Sequence, residues 1–182
     1  VGPFKFQTAC VAYTDELEEK FDVTIDLPAC WTITDGHIET ISTTFVTAPN
    51  SVMLTTDGVD NVRSVLTTPQ FADISVLRLQ FMAKYEGSYG TLQIGTITDP
   101  ALANTFTQFQ NVELTNTWNL YTIDLTSYAG TDAHVAFRYA FQEVLHNGLV
   151  YIDNVKFFTG DCLEPSNIFA TGLTGTSASI EW

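Results

Sequence analysis

The chain has 182 residues, enough for one good-sized core with fragments at its ends. Apolar residues make up 45% and aromatics 13%, which places it among globular proteins and outside the disordered class. Its 7 Lys and Arg against 21 Asp and Glu give a net charge of −14. That balance excludes a basic nucleic-acid face and disfavours anionic membranes and densely sulfated or acidic polymers. No run approaches the roughly 20 apolar residues of a membrane span.

Residues 1–10 read as a strand ending at Cys10, with Phe4 and Phe6 alternating with Lys5 and Gln7. Residues 11–29 are acidic, and an extended arrival at Lys20-Phe21-Asp22 is preferred over a helical turn at 15–20. From Cys30 the pattern is β throughout. Residues 30–34 make a strand, Asp35-Gly36 a turn, and the Thr-rich, β-branched stretch Ile38 to Val46 another strand. Ser51 to Thr56 and Val62 to Thr67 follow, separated by the Asp57-Gly58 turn.

Ser75 to Tyr85 alternates best: Leu77, Leu79, Phe81, Ala83 and Tyr85 face one way, and Arg78, Gln80, Met82 and Lys84 the other. Strands are also predicted at 91–97, 106–114 and 118–125. From His134 to Gln142, Val135, Phe137, Tyr139 and Phe141 point in while Ala136, Arg138 and Ala140 point out. Asn147-Gly148 is a two-residue hairpin signal leading into the last strand of the body, Leu149 to Phe158. After Cys162 the character changes, and 166–182 reads as two short strands around a Gly-Thr turn. Many short strands, regular turns and no convincing helix imply an all-β, antiparallel two-sheet β-sandwich of jelly-roll type.

Strict alternation in the 149–158 strand puts Tyr151, Asp153, Val155 and Phe157 on one face, so Asp153 falls among apolar neighbours. A lone buried carboxylate is costly, so either a bulge turns Asp153 aside into hydrogen bonds or a cation sits against it. The cysteines Cys10, Cys30 and Cys162 contain no Cys-x-x-Cys, and His37, His134 and His146 lack zinc-finger spacing. One disulfide plus one odd thiol is the simplest reading for an oxidising compartment, with three buried free thiols as the alternative. Cys10 with Cys30 is the preferred pairing. Nucleophile-elbow, zinc-protease and phosphate-loop motifs are all missing, and no spacing singles out a pair of carboxylates, so an enzyme is not expected.

CysTrpThrIle at 30–33 after Leu27-Pro28, the run 117–130, AlaPheArgTyr at 136–139 and TyrIleAspAsnVal at 151–155 together resemble the MAM-like jelly-roll modules of bacterial surface proteins, the cleaved-adhesin or choice-of-anchor type. The resemblance spans about residues 13–161 and sets the expected domains at 11–163 for the jelly roll, 1–10 for the tail of a preceding module and 164–182 for the start of a following one. The two ends resemble pieces of fibronectin type III modules: residues 2–10 a last strand, and 164–168 with 176–182 a first hairpin. The chain opens on Val1, and the parent is expected to be a longer, multidomain protein, secreted and displayed on a cell.

The resemblance further implies a structural calcium ion held by Glu19 and Asp22, which flank Phe21, and by Asp153. Asp35 is a weaker ligand candidate, because Asp35-Gly36-His37 is short of the richer Asp-Gly run of related modules. The implied role is non-catalytic binding of a glycan or glycoprotein; the alternative is a spacer in a surface array with no ligand beyond calcium. For carbohydrate the candidate residues are Tyr85 and Tyr89, whose rings suit the apolar faces of sugars, and Arg78 and Arg138, able to donate to hydroxyls or a carboxylate. The competing assignment makes Tyr85 a core residue, Tyr89 a loop aromatic, and both arginines partners of nearby acids.

Overall fold

The residues that alternate in the sequence pack into one core between two sheets, because a strand's side chains leave its two faces in turn. A computed structural model describes residues 10–23, 26–55, 63–87, 91–140, 148–160, 169–171 and 179–181. Among them, in chain order, are β1 (Leu17–Glu19), β2 (Thr32–Asp35), β3 (His37–Ile41), β4 (Ser51–Thr55), β5 (Arg63–Thr67), β6 (Leu77–Glu86), β7 (Thr91–Ile97), β8 (Phe106–Glu113), β9 (Asn119–Asp124), β10 (His134–Ala140), β11 (Leu149–Thr159), β12 (Phe169–Thr171) and β13 (Ser179–Glu181). One sheet has the order β3-β4-β11-β6-β9 with β1 also on β11, and the other is β2-β5-β10-β7-β8. All their ladders are antiparallel. From β4 to β11 the pairing is first with last: β4 with β11, β5 with β10, β6 with β9 and β7 with β8. That nesting is the jelly roll. Among the described residues β12 and β13 pair with each other, in a two-stranded sheet.

Leu77, Leu79, Phe81, Ala83 and Tyr85 of β6 meet Val135, Phe137 and Tyr139 of β10 across the sandwich, all buried in the same core. Phe81 packs edge-on to Phe137 at 5.2 Å, and Phe71 packs on Phe157 at 4.5 Å. Burying such side chains is worth about 1.5–3 kcal/mol each, which holds the sheets face to face.

Two expectations along the chain need correction. The Ile38–Val46 strand stops at Ile41, because the backbone N–H groups of Val46 and Thr47 turn away from any ladder and donate to Asp153. Strict alternation in the last strand also fails. The β11–β6 register shifts between Asp153 and Lys156, and Asn154 adopts φ +48°. Val150 and Ile152 therefore join Val155 and Phe157 in the core, while Tyr151, opposite Lys84, stands on the outer face.

Cys10 is bonded to Cys30, with Cα atoms 5.8 Å apart; Cys162 lies outside the described residues. The bond ties the N-terminal strap to the start of the body. The strap is held again where Tyr13 N–H donates to Gln70 O and Ala72 N–H donates to Tyr13 O. Cross-linking residues 20 apart is worth about 3 kcal/mol in the chain-entropy account. Urea unfolding of the Cys10→Ser/Cys30→Ser double variant is expected to show a loss of that size; an unchanged midpoint would mean the strap contributes nothing to folding.

Candidate functional site

β11 is the central strand of its sheet, and its edge facing away from β6 changes neighbour partway along. β4 pairs with Leu149–Ile152, and β1 pairs with Val155–Phe157. Asp153 and Asn154 fall in the gap. Asp153 is fully buried. Its Oδ2 accepts from the N–H groups of Val46 (2.7 Å) and Thr47 (3.0 Å), and its Oδ1 from Asn154 (2.7 Å). Thr47 Oγ1 donates to Asn154 Oδ1 at 2.8 Å. One carboxylate thus fastens the 42–50 loop over the break. The bulge with its hydrogen bonds, one of the two alternatives raised by the sequence, is present.

The end of β1 supplies more acids nearby. Glu19 Oε1 accepts from Phe21 N–H at 2.6 Å, with Phe21 at φ +59°. Asp22 Oδ1 accepts from Asn50 N–H at 3.3 Å, and Asn50 Nδ2 donates to Phe21 O at 3.2 Å. Burial, with a smaller contribution from the Asp22 charge, pushes Glu19 and Asp153 above the ordinary carboxylate value; backbone N–H donors oppose it without winning. Asp22 is thus near enough for its charge to add to both shifts. Asp35 is not among these acids: it lies on the other sheet, paired with Arg63 at 3.3 Å. No group of three or more His, Cys, Asp or Glu among the described residues is arranged to hold a metal ion.

The rest of the six-stranded sheet's outer face is occupied by its own side chains. Lys84 Nζ lies 4.9 Å from the Tyr151 ring and 5.9 Å from the half-buried Trp118 ring. Tyr151 donates to Glu86 at 3.0 Å, and burial first, then that carboxylate, pushes its hydroxyl up to about 12. Arg78 bonds Gly160 O and pairs with Asp124 at 3.7 Å. Tyr85 is 3% exposed, a core residue beside Tyr139, so its ring offers no face to a ligand. Tyr89 lies outside the described residues.

Arg138 is on the opposite sheet from Arg78, so the two belong to different faces. Register aligns Val65, Arg138, Gln93 and Asn111 in one row across β5, β10, β7 and β8. The next row is Thr67, Ala136, Gly95 and Gln108. Arg138 Nε donates to Gln93 Oε1 at 2.6 Å, and its Cζ sits 3.9 Å from the centre of the Phe106 ring. Phe106 fits there because Gly95 has no Cβ: one added at Gly95 would stand 2.5 Å from the ring. Asn111 and Gln108 are exposed beside it. Gln93, Phe106, Arg63 and Asn111 were not singled out from the sequence. Gln93 shares the outward parity of β7, but which residue of another strand lies opposite it is a matter of register.

These features define an antiparallel jelly-roll sandwich with an amide- and guanidinium-lined outer sheet face. Known structures share this fold at low identity. The K1 cleaved adhesin domain of Lys-gingipain from Porphyromonas gingivalis W83 superposes with a TM-score of 0.63 at 20% identity, covering 80% of this chain and 99% of that one. The CBM22-1 xylan-binding domain of Paenibacillus barcinonensis Xyn10C gives 0.56 at 10% identity, covering 84% and 99%. The glycoside hydrolase domain of Endo-D from Streptococcus pneumoniae R6 gives 0.59 at 13% identity, covering 92% of this chain and 32% of that chain. No protein-family model matches the sequence, and no curated protein matches it. Among the described residues no helix is long and apolar enough to cross a membrane.

Removing the Asp153 carboxylate strands three backbone N–H groups, each costing about 1–3 kcal/mol when buried and unpaired. Asp153→Ala is expected to lose about 2–4 kcal/mol in urea unfolding, the lower end reflecting the charge no longer buried. A loss under about 1 kcal/mol would contradict the role given to this residue.

The pH dependence has a definite sign. The raised carboxyls of Glu19 and Asp153 bind protons more readily folded than unfolded, so their contribution is present below the unfolded value and lost as pH rises through the folded one. Asp73 and Asp124 are lowered by hydrogen bonds from Ser75 and Thr126, and theirs is lost only as pH falls below the unfolded value. Without divalent cations, Tm is expected to rise as acidification carries the pH down through the raised folded values of Glu19 and Asp153 toward the ordinary carboxylate value. Asp22→Asn should raise the neutral-pH Tm and flatten part of that rise; a Tm falling steadily over the range in the wild-type chain would contradict it.

Proposed function

We propose that this chain is a non-catalytic extracellular module that binds a glycan or glycoprotein through the outer face of its five-stranded sheet. The observation that carries this reading is the row Arg138, Gln93 and Asn111, with Gln108 beside it, set in register on a rigid sheet. Amide and guanidinium groups on a regular spacing match the hydroxyls of an oligosaccharide, and strands fix their backbones in advance, which lowers the ordering cost. The shared fold of an adhesin domain and a xylan-binding domain supports the reading, and the Cys10–Cys30 bond fits an oxidising compartment. Residues 1–10 and 164–182 are proposed as parts of neighbouring modules in a secreted surface protein.

Binding to an array of neutral and acidic glycans tests the reading. The Gln93→Ala/Asn111→Ala variant is expected to lose at least roughly ten-fold in affinity for the glycans the wild-type chain retains. No retention of any glycan would leave the spacer as the correct role.

A structural calcium ion is the second element of the proposal: Glu19, Asp22 and Asp153 do not form a ready metal site as they stand, and they would have to close on the ion from the β1 end. Its support is the group of carboxylates at the β1 end, where burial first, and the Asp22 charge to a smaller degree, raise Glu19 and Asp153. Phe21 carbonyl oxygen lies in the same turn. Calcium is expected to raise Tm relative to excess EGTA, and Asp22→Asn is expected to abolish that rise without unfolding the chain. Equal Tm values in calcium and EGTA would remove calcium from the account and leave the glycan reading intact.

A further inference from the structure

Arg138 stands out from the other guanidiniums whose ion pairs are seen. Arg63 pairs with Asp35, and Arg78 pairs with Asp124 and with a backbone carbonyl. Arg138 is half-buried in a chain carrying three acids for every base, yet forms no ion pair with any described carboxylate. Its one hydrogen bond to a described residue is from Nε to a neutral amide, Gln93, and its flat face is taken by Phe106. The two Nη groups, the end of the fork that meets a carboxylate, have no such partner. Arg63 is close enough that its charge, after burial, pushes the Arg138 guanidinium down from its ordinary value. Stacking and the Nε bond fix the orientation of the plane, so little side-chain freedom remains to be lost when a planar anion docks.

On the carbohydrate reading proposed above, we infer that this face recognises a carboxylate-bearing sugar, a uronate or sialate residue, seated on the Nη edge of Arg138. The exposed Asn111 and Gln108 take the hydroxyls of that sugar and the next, while Gln93 holds the guanidinium in place. The chain's charge of −14 sharpens the class of ligand. A dense polyanion is repelled by the molecule as a whole, whereas an otherwise neutral oligosaccharide with one isolated carboxylate meets chiefly Arg138, since the nearby Arg63 is already paired with Asp35. An acidic peptide would satisfy the guanidinium too, but it leaves the row of amides beside Arg138 without hydroxyl partners.

The test uses the full chain and two matched probe pairs in calorimetry: 3′-sialyllactose and a xylotetraose carrying one glucuronate, each against the same molecule with its carboxylate reduced to the alcohol. At least one acidic member is expected to bind roughly ten-fold or more tightly than its reduced form, with a preference that shrinks as salt rises. Arg138→Gln should erase the preference while keeping residual affinity for the reduced form, and Arg138→Lys should restore only part of it, lacking the planar fork. Equal affinity for acid and alcohol, or a preference that survives Arg138→Gln, overturns the inference while leaving glycan binding in place. Retention of neutral glycans alone on the array does the same. Binding of a poly-glutamate peptide with no glycan retained, or no binding at all, overturns both.

Discussion

A central strand that must serve two neighbours in succession sets the geometry of this molecule. β11 pairs with β6 along one edge, and along the other it leaves β4 for β1. Where the ladder breaks, backbone donors lose their partners, and a buried unpaired N–H is costly. Asp153 resolves this by accepting from both sides of the break: from Val46 and Thr47 of the incoming loop and from Asn154 of its own bulge. The bulge in turn changes the parity of β11, which lets Val150 and Ile152 before it and Val155 and Phe157 after it reach one core. Closure of the jelly roll depends on a charged group in a fully buried position, and the energetic consequence is a carboxyl held above its normal titration range.

The two outer faces have different characters as a result. On the six-stranded sheet the polar groups named above are matched within the chain: Lys84 over two rings, Tyr151 on Glu86, Arg78 on Asp124 and Asp153 on the loop. On the five-stranded sheet the chain builds a shelf whose centre is buried, and the Nη edge of Arg138 has no partner among the described residues. Gly95 makes room for Phe106, Phe106 supports Arg138, and Gln93 fixes its tilt. The first face suits structural integrity and the second suits recognition.

The sequence makes the architecture legible because period-two burial is a local property. The inward stripe from Leu77 to Tyr85 and the outward position of Arg138 both follow from alternation alone. The preferred cysteine pairing, Cys10 with Cys30, is the one formed. What alternation cannot express is a change of parity, so the bulge at Asn154 is only one of two alternatives there, and Tyr151 and Asp153 before it fall on the opposite face from Val155 and Phe157 rather than on the same one. Nor can it say that Val46 and Thr47, β-branched and strand-like, donate to a carboxylate more than a hundred residues away. The candidate site divides the same way. Arg138 was named from its own strand, while Phe106 and Gln93 come from register between strands that no local pattern encodes. Tyr85 illustrates the converse: its place in the inward stripe was already visible, and that place removes it from any ligand.

The division of labour between the two faces is most directly measured by mapping backbone amide shifts in 15N-labelled protein, titrated separately with an array-selected glycan and with calcium. The account predicts that the glycan moves the amides of Gln93, Asn111 and Arg138 and leaves those of Val46, Thr47 and Asn154 in place, while calcium does the reverse. Glycan-induced shifts centred on the Lys84, Trp118 and Tyr151 cluster, or on the loop over Asp153, would contradict it.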